Sequence, residues 1–88
     1  DTQYVTPTLH AHGYDDIQVT AGVRVEWTIL ADPADLNGCN NEIVLPFAGQ
    51  QIRLSEGENT ICFLPEEAGT YPYSCWMGML RNTVTVVE

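Results

Sequence analysis

Eighty-eight residues suffice for one domain with a modest core, and a hydrophobic content of 44% is ordinary for a globular chain. Twelve acidic residues against three arginines, with no lysine, give a formal charge of −9, which repels phosphate backbones and anionic headgroups and excludes nucleic acid and direct lipid binding as roles of this domain. No apolar run approaches the ~18 residues of a membrane span, and nothing at the start reads as a signal peptide.

The acidic surface suits a solvated monomer, although it also suits docking on a basic partner. A chain that opens at Asp1 without methionine reads as a single domain, residues 1–88, excised or processed from a longer protein.

Taken in order, the chain reads as short strands punctuated by turns. Residues 3–11 form a first strand followed by a loop at His12-Gly13-Tyr14, and residues 17–19 a second that ends at Ala21-Gly22. Alternation then becomes clean. Val23, Val25, Trp27 and Ile29 fall on one face while Arg24, Glu26 and Thr28 fall on the other, the period of a strand buried on one side. A long polar connection, residues 31–41, carries Pro33, Asn37, Gly38 and Cys39, with a helical turn expected near Pro33.

Strands resume at residues 42–45, 51–54, 60–64 and 69–74, and the β-branched run 82–87 closes the chain. Eight short strands without an amphipathic helix predict an all-β antiparallel fold, a small barrel or, as expected here, a Greek-key sandwich. Its expected core is Val23, Val25, Trp27, Ile29, Ile61, Phe63, Tyr71, Tyr73, Val84 and Val86.

Chemistry concentrates at Ser74-Cys75-Trp76-Met77-Gly78-Met79. A thiol and two thioethers recur within five residues, in a stretch whose Gly78 marks a loop. Isolated methionines usually fill gaps in a core, but clustered soft donors suit Cu(I), whereas calcium, magnesium and manganese take oxygen and zinc has little use for methionine. If consecutive strands alternate in direction, the loops after the first, third, fifth and seventh share one end of the sandwich. That end would then hold His12, with His10 just before it, together with Cys39, Cys75, Met77 and Met79. Cys39 and Cys75 are also the pair that a disulfide would join, an alternative in which the domain is a disulfide-bonded interaction module. Cys62 alternates with Ile61 and Phe63 and reads as a non-ligand. Trp76 could shield a metal, or be a plain rim aromatic.

These residues carry a family likeness. Gly69-Thr70-Tyr71-Pro72-Tyr73-Ser74-Cys75 resembles the cupredoxin strand that runs through Gly-x-Tyr-x-aromatic into the copper-binding cysteine, and residues 23–29 resemble the central cupredoxin strand. The stretches Asn37-Gly38-Cys39-Asn40-Asn41-Glu42 and Cys75-Trp76-Met77-Gly78-Met79-Leu80-Arg81 are similar to the cupredoxin-like Cu(I) domain of CupA-type membrane-tethered copper chaperones. A blue electron-transfer site needs two histidines, one cysteine and an axial methionine, and that remains the alternative activity. Here Cys39 stands where the first histidine is expected, Met77 falls in the loop that should supply the second, and no histidine follows His12.

The resemblance implies a non-enzymatic chaperone that binds one or two Cu(I) ions. The cysteine pair would hold the first tightly, Met77 and Met79 would help hold a weaker second, and His12, His10 and Trp76 would be accessory at most. It implies delivery to a copper-transporting ATPase or another copper chaperone. It also implies attachment to a membrane through a segment outside this sequence, with the cytoplasmic face favoured.

Overall fold

The computed structural model describes residues 1–6 and 9–88. Among the described residues eight strands follow in order: β1 (Thr2–Val5), β2 (Ile17–Thr20), β3 (Arg24–Ala31), β4 (Glu42–Leu45), β5 (Gln50–Arg53), β6 (Gly57–Phe63), β7 (Gly69–Cys75) and β8 (Arg81–Val87). They form a three-stranded sheet of order β1-β3-β6 and a five-stranded sheet of order β2-β8-β7-β4-β5, with crossing connections of the Greek-key kind. The expected all-β sandwich is thus the observed fold. One short element went unread, a 3₁₀ turn at Pro46–Ala48 between β4 and β5.

Alternating burial drives the packing of the two sheets. Val25, Trp27, Ile29 and Ala31 of β3 and Ile61 of β6 face inward from one sheet, while Ile17, Val19, Ile43, Leu45, Tyr73, Val84 and Val86 face inward from the other. Trp27 and Tyr73 meet edge to face with ring centroids 5.0 Å apart, a favoured aromatic geometry. Three expected core residues, Val23, Phe63 and Tyr71, are only half-buried, because Phe63 and Tyr71 pack with Phe47 at the margin of the core.

Two expectations need correction. The expected strand 3–11 is shorter, because β1 ends at Val5; its residues 7 and 8 lie outside the described residues. His10 instead opens a tight turn, exchanging backbone hydrogen bonds with Gly13 at 3.0 and 3.3 Å, so local pairing replaces the ladder there. The sheets are also not wholly antiparallel, since β1 pairs parallel with β3 and β2 parallel with β8.

Both parallel pairs join strands of like parity, odd with odd and even with even, so consecutive strands still alternate in direction. The loops after β1, β3 and β7 therefore gather at one end, as the bonds of Tyr14, Asn40 and Trp76 confirm. A hydrogen-bonded turn forms at Pro33: Asp32 accepts from Asp35 and Leu36 through its carbonyl and from the Ala34 N–H through its carboxylate.

Candidate metal centre

Cys75 is the last residue of β7, paired with Ile43 of β4, and is 1% exposed. The chain folds back immediately beyond it. The Gly78 N–H donates to the Cys75 carbonyl at 3.0 Å, and the Cys75 N–H donates to the Leu80 carbonyl at 2.9 Å. Gly78 takes a φ of 72°, a left-handed conformation in which a side chain would be strained. The turn aims donors at the sulfur, with the Leu80 N–H reaching Cys75 Sγ at 3.3 Å. Burial pushes the Cys75 thiol up, but the converging N–H groups of Leu80, Met77, Met79 and Gly78 outweigh it and hold the thiol below its ordinary value.

The second sulfur comes from the β3–β4 connection, which is held by a reciprocal clasp of two asparagines. Asn37 Oδ1 accepts from the N–H groups of Cys39 and Asn40 at 2.8 and 3.0 Å, and Asn40 Oδ1 accepts from the Asn37 N–H at 2.8 Å. Asn40 is fully buried, and its Nδ2 donates to the carbonyls of His10 and Asp35 at 2.8 and 2.7 Å. Asn37 Nδ2 adds a bond to the Ala11 carbonyl at 3.0 Å, so the cysteine loop is braced on the histidine turn. From the other side the buried Tyr14 hydroxyl donates to the Asn40 carbonyl at 2.9 Å. Burial pushes the Tyr14 hydroxyl up, and the nearby Cys75 and Cys39 charges add to it, which places both thiols within electrostatic reach of one phenol.

Across the loops Cys39 Sγ lies 3.7 Å from Met77 Sδ. Cys75 is buried, while Met77 is 46% and Met79 70% exposed, so the sulfurs grade from a buried thiol to open thioethers. The exposed Trp76 spans the same gap: its Nε1–H donates to the Gly38 carbonyl at 3.0 Å. All three cysteines are free thiols, so the structure contains no Cys39–Cys75 disulfide; Cys39 Sγ faces Met77 Sδ, and Cys75 Sγ accepts the Leu80 N–H. Cys62 lies in β6 opposite Glu26, away from the loop end.

The histidines stand apart from this sulfur set. His10 Nε2 meets Asp15 Oδ1 at 2.7 Å, and His12 is exposed in the turn. They do not share a strand face, because β1 has ended before them. Among the described residues no group of three or more His, Cys, Asp or Glu side chains is placed to hold a metal ion. Zinc and hard cations lack their usual ligand sets among these residues, and the donors that meet are the Cys39 thiol and the Met77 thioether. Asn37, Asn40 and Tyr14 were not singled out from sequence, although Asn-Gly and Asn-Asn flanking Cys39 are strong signals of side-chain-to-backbone turns.

No protein-family model and no curated protein matches the chain. Among solved structures, the chain is similar to the metal-binding domain of a Cu(I)-exporting P-type ATPase, CopA of Streptococcus pneumoniae, determined with Cu(I). The identity is 29% over 99% of this chain and 87% of that one, with a TM-score of 0.87. It is also similar to a copper-binding protein whose apo form was solved by NMR, at 25% identity over 97% of this chain and 87% of that one, TM-score 0.86. A Cu(I) form of an amicyanin variant, at 17% identity, covers 93% of this chain and 80% of its own with a TM-score of 0.60, which is a likeness of fold.

Proposed function

We propose that this domain binds Cu(I) through Cys39 and Cys75, with Met77 and Met79 as supporting thioethers, and passes the ion to a copper exporter or another chaperone. The observation that carries the proposal is the approach of Cys39 Sγ to Met77 Sδ, 3.7 Å, in the loop that follows a Cys75 thiol whose surrounding N–H groups favour thiolate. Two thiolates and thioether sulfur make a soft donor set, which suits cuprous ion and disfavours the cupric state on which electron transfer would depend.

Exposure suits transfer rather than storage. Met77 and Met79 reach solvent at the rim while Cys75 is enclosed, so an incoming thiolate can meet the ion at the rim before the enclosed thiolate lets go. Copper is thus cargo, moved by ligand exchange without reduction or oxidation, and the domain is a binding module and not an enzyme. The likeness to the metal-binding domain of a Cu(I) exporter supports an exporter as recipient. We place the domain in a longer, membrane-associated protein, on its cytoplasmic side, as a monomer that touches neither nucleic acid nor lipid.

Anaerobic titration of the reduced protein with Cu(I) against a competing chelator tests the reading. One tightly held ion that disappears in Cys39→Ser is the expected result. Binding no stronger than that of an unfolded thiol peptide refutes it.

A further inference from the structure

Two contacts run directly between the sulfur loops: the Cys39–Met77 sulfur approach and the bond from Trp76 Nε1 to the Gly38 carbonyl. The second is unusual for a side chain 51% exposed, because a surface indole normally gives its N–H to water. Trp76 is also pinned at its other end, where its backbone N–H donates to the Glu42 carbonyl at 3.0 Å and extends the β4–β7 pairing past Cys75. The indole therefore spans from the end of the sheet to the peptide immediately before Cys39. On the far side of that peptide the Cys39 N–H is already fixed by Asn37 Oδ1 at 2.8 Å.

From this geometry we propose that Trp76 is a positioning residue, a strap that holds the Cys39 loop against the Met77 loop and whose release sets the rate at which the half-buried Cys39 becomes fully accessible. The inference rests on the copper-binding reading for its purpose but not for its test. With the strap closed, Cys39 stands half-buried against Met77. With the strap open, the Gly38 carbonyl passes to water and the loop carries Cys39 outward, where an incoming thiolate can reach it. Trp76 is thereby a control on exchange and supplies no ligand atom.

Trp76→Phe keeps a six-membered aromatic ring as partial cover but removes the N–H together with the fused pyrrole portion of the indole, so the strap bond to the Gly38 carbonyl is lost. In the metal-free reduced protein, alkylation of Cys39 by iodoacetamide, followed by peptide mass spectrometry, should quicken by about two- to tenfold, the range expected for loss of one neutral hydrogen bond. Cys62, on the other sheet, serves as an internal control and should react at its wild-type rate. Equal Cys39 rates in the two proteins overturn the strap, as does an equal acceleration of Cys39 and Cys62, which would report general loosening. In the Cu(I)-loaded protein, transfer to excess bathocuproine disulfonate should accelerate in the same proportion, and an unchanged transfer rate overturns the control on exchange. Should wild type take up no Cu(I), the proposed function falls while the metal-free comparison still decides the strap.

Discussion

Asn40 gives the sharpest test of how the candidate site is held. It is the buried polar residue among the described core, and its side chain makes three bonds: to the His10 carbonyl, to the Asp35 carbonyl and from the Asn37 N–H, at 2.8, 2.7 and 2.8 Å. At about 1 kcal/mol net for each bond, Asn40→Ala should cost about 3 kcal/mol. That is a large share of the roughly 4–13 kcal/mol expected for a domain of this size. At about 4–8 °C per kcal/mol in a small domain, the Tm of the reduced apo protein should fall by roughly 12–24 °C, read by calorimetry or near-UV circular dichroism. A fall of less than about 4 °C, equivalent to less than one such bond, would refute the assignment of Asn40 as the brace of the Cys39 loop.

Asn40→Asp sharpens the same argument without opening a cavity. Both donated bonds disappear, and a carboxylate would face two carbonyl oxygens in a buried site, so its pKa must rise on folding. A raised carboxyl pKa makes folding least favourable above that pKa, where the buried group must ionise. The variant should therefore regain stability as pH falls from neutral through its raised pKa. A deficit independent of pH would mean that the side chain escapes to solvent and that the site tolerates a charge.

Cys39→Ser and Cys75→Ser should each abolish tight Cu(I) binding in chelator competition, whereas Met77→Leu with Met79→Leu should spare the first ion and remove a second. Both methionines are exposed, so the Met double variant should cost less than ~1.5 kcal/mol in folding; unchanged uptake of two ions by it, or uptake of only one by wild type, would defeat this division of labour. His10→Ala with His12→Ala should leave Cu(I) affinity near wild type, because His10 is engaged with Asp15; a loss as large as that of Cys39→Ser would make a histidine a ligand. Asp16 is held below the usual carboxylate range by the backbone N–H of Thr83 at 2.8 Å and by Asn82 Nδ2 at 3.1 Å. Its depressed pKa contributes stability that is present above the unfolded carboxylate pKa and is lost as pH falls through the folded one. The Tm gap between wild type and Asp16→Asn should accordingly close in acid, and a gap constant with pH would contradict the assignment.

The fold was legible wherever one physical rule dominated. Val25, Trp27 and Ile29 alternate with Arg24, Glu26 and Thr28 because β3 buries one face, and burial is what sequence period reports. Parity brought Cys39 to the Met loop even though the sheets contain parallel pairs, since alternation of direction does not depend on which strands become neighbours. Local pattern failed at residues 9–13, where an apolar-polar alternation resembles a strand but the backbone pairs with itself. It failed again at Leu9, Tyr14 and Leu54, buried residues outside any strand, because their burial follows from how loops close over the sandwich ends.

At the candidate site the sequence displays the proposed donors but not what aims them. Cysteine and methionine advertise their chemistry by element, so Cys39, Cys75, Met77 and Met79 can be named without coordinates. Asn37, Asn40, Tyr14 and Trp76 act through bonds to carbonyls and N–H groups whose positions exist only after three loops have met. Those four residues matter because a soft ion of low coordination number binds wherever sulfurs can reach it, and an unbraced loop could fold its thiol onto any partner. Fixing the peptides on both sides of Cys39 confines that thiol to the side of Met77. The polar brace thus gives a sulfur-rich sequence one buried thiol and an open rim of thioethers, the asymmetry on which the proposed hand-over of an ion rests.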